Sequence, residues 1–166
     1  DLVSPQIQVV AQVVEEFGGR LHHVKPHGAL YNLAATSPET AHAIAEAVEA
    51  LDPKCLLVGL SGSCLTDAAM AIRLRAVHEV FADRNYLADG SLVPRSQPNA
   101  VLHDAAQIAA RAASMVETGE VFAIDGTPLK LKCDSLCIHS DTPDAVVIAA
   151  QIRQVFAERA ITIRAR

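Results

Sequence analysis

At 166 residues with 51% hydrophobic and 20% charged residues, the chain has the composition of a folded domain with a real core, not of a disordered segment. Its net charge of -5 comes without any Lys/Arg cluster, which argues against a nucleic-acid backbone binder. Aromatics make up 4% and Trp is absent, so Ala, Val, Leu and Ile must build the core. No apolar run approaches the ~18 residues of a membrane span, and no basic-then-apolar leader is seen, so a cytoplasmic protein is expected. Asp1 stands directly before a helix cap where Met would open a complete chain, and a processed or excised piece is expected.

Ser4-Pro5 reads as an N-cap with Pro at the first helical position. Ile7, Val10, Val13, Val14 and Phe17 recur at helical spacing, and Gly18-Gly19 closes that helix. Arg20 to Lys25 is predicted as a strand, with His23 and Lys25 on one face and His22 opposite. It runs into Pro26-His27-Gly28, two backbone breakers around a histidine, with Tyr31 and Asn32 close behind. So many hydrogen-bonding groups at a strand exit suggest the mouth of an active site.

Ser37-Pro38-Glu39 caps the next predicted helix, whose inner face is Ala41, Ile44, Ala45, Val48 and Leu51. Cys55 to Leu60 is a continuous apolar run, as a parallel strand covered on both faces requires. Ser61-Gly62-Ser63 turns into a helix from about Cys64 to Arg75, with the two hydroxyls as hydrogen-bonding or capping groups. Val77 to Ala82 is a third strand that empties into Asp83-Arg84. The connection from Leu87 to about Leu102 is long enough to be functional.

A helix from about Asp104 to Glu117 follows, with Ile108, Ala112, Met115 and Val116 inside and Gly119 ending it. Glu120 to Ile124 is a fourth strand, extending through the Asp125-Gly126 turn as a hairpin to Lys132. Ser135 to His139 is a fifth strand. Asp141-Thr142-Pro143 caps the last helix, whose inner face is Val146, Ala149, Ile152, Val155 and Phe156, and Ile161 to Ile163 closes as a short strand. His42, His78 and His103 are read as surface residues. Cys55, Cys64, Cys133 and Cys137 lack zinc-site spacing and are read as reduced structural thiols.

Alternating helices and strands imply parallel pairing, hence an α/β class and a (β/α) barrel or an arc of one. Residues 1–166 are expected to form a single α/β domain. Polar groups gather at four strand exits: Lys25 and His27, Ser61 and Ser63, Asp83 and Arg84, and His139, Ser140 and Asp141. No Gly-x-Gly-x-x-Gly and no Walker-type Gly-x4-Gly-Lys-Ser/Thr motif is present.

The stretch His23-Val24-Lys25-Pro26-His27-Gly28-Ala29-Leu30-Tyr31-Asn32 closely resembles the signature of the LamB/YcsF family, whose characterised activity is that of the A subunit of 5-oxoprolinase. Glu79 to Arg84, Asp89 to Arg95, Met115-Val116 and Cys137 to Asp141 match in the same order. The resemblance implies a divergent barrel of the glycosidase/deacetylase type, here lacking its N-terminal strands. It also implies ATP-dependent opening of the lactam 5-oxoproline to L-glutamate, with subunits B and C as partners, ATP as cofactor and Mg2+ accompanying it. Lys25, His27, Asp83, Arg84 and His139 are then the candidate catalytic groups; His23, Gly28, Tyr31, Asn32, Arg95 and Asp141 are candidates for binding substrate.

The chain departs from the family's pattern in two places, with Ser140 and Asn99 where Gly is usual. Two further readings compete. One is a metal-dependent amidase or deacetylase using His27, Asp83 and His139 as ligands. The other is a non-catalytic assembly module, whose exposed edges would favour a homo-oligomer.

Overall fold

The computed structural model describes residues 2–164; Asp1, expected before the first cap, lies outside them. The chain divides into two compact units, Asp1–His78 and Glu79–Arg166.

In the first unit, helix α1 (Ser4–Glu16) takes Pro5 into its first turn, but Val3 holds the N-cap position and no side chain caps it. The expected Ser4 cap is therefore corrected: Ser4 lies inside the helix. Gly18, at φ +73°, ends it as expected, its amide bonded to the Glu15 carbonyl. Of the predicted inner face only Ile7 is buried; Val10 and Val13 are exposed, and Phe17 is 87% exposed. The helix meets helix α3 (Pro38–Leu51) along a narrow line, which leaves most of its apolar stripe uncovered.

Strand β1 is only His23–Val24, shorter than the predicted run, and pairs in parallel with strand β2 (Leu56–Leu60). Helix α2 (Gly28–Thr36) follows, unanticipated because Pro26 and Gly28 read as breakers and no capping side chain announces it. Its Tyr31 and Ala34 are buried. Ser37 caps α3 as predicted, its hydroxyl accepting the Thr40 amide at 3.2 Å. Ala41, Ile44, Ala45 and Val48 join Leu57 in the core.

All five residues of β2 are buried, the pattern expected of a strand covered on both faces. Helix α4 (Cys64–Ala71) stops short of the predicted Arg75, because Arg73 turns the chain at φ +64° and strand β3 (Arg75–Phe81) begins there. A Cβ on Gly59 would come within 3.0 Å of the Leu65 side chain, so glycine lets α4 pack close to β2.

Strand β3 has Arg75–His78 in the first unit and Glu79–Phe81 in the second. In the second unit Glu79, Val80 and Phe81 pair in parallel with Ser135, Leu136 and Cys137 of strand β6 (Ser135–Cys137). Helix α5 (Ala105–Thr118) is capped by Asp104, whose carboxylate accepts the Gln107 amide, and ends at Gly119 with φ +68°. It packs on helix α6 (Ala145–Glu158), and Ile108 and Ala112 of α5 and Ile148, Ile152 and Phe156 of α6 are buried.

The hairpin expected around Asp125-Gly126 is present: strand β4 (Glu120–Phe122) pairs antiparallel with strand β5 (Pro128–Lys130), apart from the parallel sheet. The five residues between them can close a hairpin but not a crossover. Several other expectations need correction in this unit. Neither Asp141 nor Thr142 caps α6; Asp144 holds that position at φ +61° without a side-chain bond. Thr142 and Asp141 have other partners, described below. Val146 is 84% exposed and Val116 is also exposed, not internal. His78 is buried in β3, not on the surface. Ile161 to Ile163 form no strand.

Asn99 sits at φ +60°, a left-handed conformation that Gly or Asn adopts readily, which accounts for its replacing Gly. Ser140 is not among the described residues with positive φ, so its Cβ brings no backbone strain. Among the described residues no disulfide joins the cysteines, and burial pushes the Cys133 thiol up to about 11. Among the described residues no helix is long and apolar enough to cross a membrane.

Candidate active site

The second unit carries the tighter constellation. β3 ends at Phe81, and Asp83, two residues on, is buried with its side chain 1% exposed. Its Oδ2 lies 3.1 Å from His139 Nδ1 and 3.4 Å from the Thr142 hydroxyl, which donates to it. Asp83 Oδ1 is also buried and accepts no hydrogen bond from the described residues. The imidazole of His139, 25% exposed, stacks on Phe81 at 5.4 Å. Parallel pairing of β3 with β6 is what brings residues 83 and 139 together, since both leave their strands at the same end.

Two arginines hold the backbone around Asp83. Arg84 is buried, and its Nη2 donates to the Val93 carbonyl at 2.6 Å while its Nε donates to Ala100 at 3.3 Å. Burial, and then the charge of Arg95, lower its pKa. Arg111 of α5 donates to the carbonyls of Ala82 and Arg84 at 3.3 and 2.8 Å, on either side of Asp83. It lies 5.7 Å from the Tyr86 ring, whose hydroxyl accepts the Phe81 amide.

The 87–102 connection is ordered. Leu102 N donates to the Asp83 carbonyl and Asn85 N to Ala100, while isolated bridges join Arg84 with Val101 and Tyr86 with Leu92. From this loop Arg95 reaches Asp141, at 3.3 Å, in an exposed ion pair. Asp83, Arg84, Arg95, His139 and Asp141, all predicted, thus belong to one neighbourhood. Tyr86, Arg111 and Thr142 join it without being predicted by the sequence. Arg111 left one signal: it falls three residues after Ile108, on the otherwise apolar stripe of α5.

In the first unit the other exit is built on the start of α2. His27 is its N-cap residue in extended conformation, with no side-chain cap bond and no acidic residue in the first turn. The leading amides of α2 therefore meet no carboxylate of their own, which suits an anion. Gly28, at φ +62°, would place a Cβ in open space. Lys25 Nζ lies 5.6 Å from the centroid of the buried Tyr31 ring, and Asn32 Nδ2 donates weakly to the Gly28 carbonyl at 3.4 Å. His23 is exposed and edge-on to His22. Ser63 holds the N-cap position of α4, but its buried hydroxyl caps nothing. Among the described residues no group of three or more His, Cys, Asp or Glu stands where it could hold a metal ion.

The LamB/YcsF family model matches residues 1–166. The 5-oxoprolinase A subunit of Bordetella parapertussis is 51% identical over 165 residues, covering 99% of this chain and 66% of its own. That of Limosilactobacillus fermentum is 54% identical over 146 residues, 88% of this chain and 59% of its own. A crystal structure of a lactam utilization protein from Thermus thermophilus superposes with a TM-score of 0.88 at 41% identity, covering 99% of this chain and 65% of that one. The chain thus spans a little under two-thirds of the length of these relatives.

Proposed function

Because the chain belongs to the LamB/YcsF family, we propose that it is part of the A subunit of a 5-oxoprolinase, working in the cytoplasm with subunits B and C to open 5-oxoproline to L-glutamate. The 51% identity to one such relative across nearly the whole chain carries this reading. The sheet is then an arc of a (β/α) barrel of the glycosidase/deacetylase type, completed by the third of the relatives' length that this chain does not span.

The chemistry asks for two things. A lactam carbonyl is a poor electrophile, and the water that attacks it must lose a proton. ATP, with Mg2+, supplies activation of the carbonyl oxygen when bound. The start of α2 fits its phosphates or a substrate carboxylate: amides with no side-chain cap, open space beside Gly28, and Lys25 three residues ahead of that glycine in sequence. His27, at the N-cap, is close enough in sequence to hydrogen-bond the same anion.

Asp83 and His139 fit the second requirement. With Nδ1–H donated to Asp83 Oδ2, Nε2 of His139 is left as an acceptor that can take a proton from water. The buried carboxylate fixes that tautomer and steadies the imidazolium that forms. As the ring C–N bond breaks, the same Nε2–H returns the proton to the departing amine. Arg84 acts through the loop it holds, and Arg95 with Asp141 borders the pair as a substrate-facing ion pair.

Lys25→Ala in the assembled enzyme is expected to raise the KM for ATP or for 5-oxoproline about tenfold or more, with Lys25→Arg recovering part of the loss. Steady-state kinetics with each substrate varied in turn would check it. An unchanged KM for both would remove Lys25 from anion binding.

A further inference from the structure

The N-terminal ends of the first unit's strands carry a cluster that the lactam reading does not use. A cavity of about 490 Å3 is lined by Arg20, Leu21, His22, Pro53, Lys54 and Arg75. Arg20 to His22 lead into β1, Pro53 and Lys54 precede β2, and Arg75 opens β3. Lys25 and His27 leave the opposite end of β1. Three permanent cations and a histidine on one small cavity are notable in a chain of net charge -5.

The cluster is internally braced. One oxygen of Asp52 accepts Arg20 Nε and Nη2 at 3.0 and 2.8 Å, and the other accepts the Lys54 amide at 2.8 Å. Arg75 Nη2 donates to the Lys54 carbonyl at 2.8 Å. Asp52 therefore offsets one of the three permanent charges, and two remain. The Lys54 ammonium meets no acceptor among the described residues, and Arg75 keeps donors beyond the one bonded to Lys54.

We propose that this cavity binds a phosphate-bearing small molecule with at least two negative charges. A guanidinium fork matches phosphate oxygens in pairs, and an ammonium on a flexible stem adds a point charge. The volume lies within the range of small-molecule sites and exceeds what a bare phosphate fills. Leu21 and Pro53 give an apolar wall against which the organic part can rest. The assignment stands whether or not the chain takes part in lactam opening.

Titration calorimetry of the whole 166-residue chain with inorganic pyrophosphate tests it. A saturable site is expected in addition to any at the start of α2, weakened about tenfold by Lys54→Gln and again by Arg75→Gln, less by Arg75→Lys, and not by Lys25→Gln or by Lys130→Gln in the hairpin. Raising the salt should weaken it further, as the groups are exposed. Circular dichroism of each variant checks folding. Absence of saturable binding overturns the proposal. So does binding lost in Lys25→Gln but kept in Lys54→Gln, which would put the anion at the start of α2. Equal affinity for succinate would overturn the phosphate assignment.

Discussion

His139→Ala and Asp83→Asn are each expected to lower 5-oxoproline turnover by about 100- to 10,000-fold in the assembled enzyme, the range for removing a general base or the group that orients it. Asp83→Asn is the sharper test. It keeps the volume of a buried side chain but offers an amide where the imidazole N–H needs a carboxylate, so the wrong tautomer is favoured. Its effect should fall on kcat, with the KM for ATP little changed, because neither residue is assigned to phosphate binding. A merely structural role would instead show as lost folded protein with normal turnover per folded molecule. Full kcat in a folded Asp83→Asn enzyme would remove the pair from catalysis.

Arg84→Ala is expected to destabilise the chain by about 2–4 kcal/mol, since it leaves two buried carbonyls without their charged donor. Those carbonyls, Val93 and Ala100, belong to the loop whose Leu102 amide in turn bonds to the Asp83 carbonyl. Hydrogen exchange should accordingly rise most across 93–102, and Arg84→Lys should rescue little, because one ammonium cannot replace both bonds. Urea unfolding of the folded variants measures the first effect. A change below about 0.5 kcal/mol would mean the loop is held by its own backbone bonds alone.

The sequence announced what local chemistry announces. Ser37, Asp104 and Gly119 mark helix ends because their side chains or φ angles do that work without help from afar. β2 was legible because a buried parallel strand is apolar throughout. α2 was not, since its first turn is left without a capping side chain, and an uncapped helix beginning at Gly28 looks like a turn. Asp141 and Thr142 misled for the converse reason. Both are good capping residues, yet their oxygens meet Arg95 and Asp83, partners 46 and 59 residues away.

The site is legible as residue types at strand exits, Asp83 and His139 among them. Their pairing is not, because it depends on β6 lying beside β3 and not beside β4, which sequence order alone suggests no more strongly. Arg84 shows the limit of reading charge as chemistry: its guanidinium faces loop carbonyls. Exposed Val10, Val13 and Phe17 show the same for periodicity, which marks an apolar stripe without saying what covers it.

The central claim is tested most directly by a chimera in which this chain replaces the matching 165 residues of the Bordetella parapertussis 5-oxoprolinase A subunit, assembled with its partner subunits. L-Glutamate released from 5-oxoproline is measured with and without ATP. The account predicts ATP-dependent glutamate formation that His139→Ala abolishes. A folded, assembled chimera that forms no glutamate while the parent enzyme does, or one indifferent to His139→Ala, would contradict it.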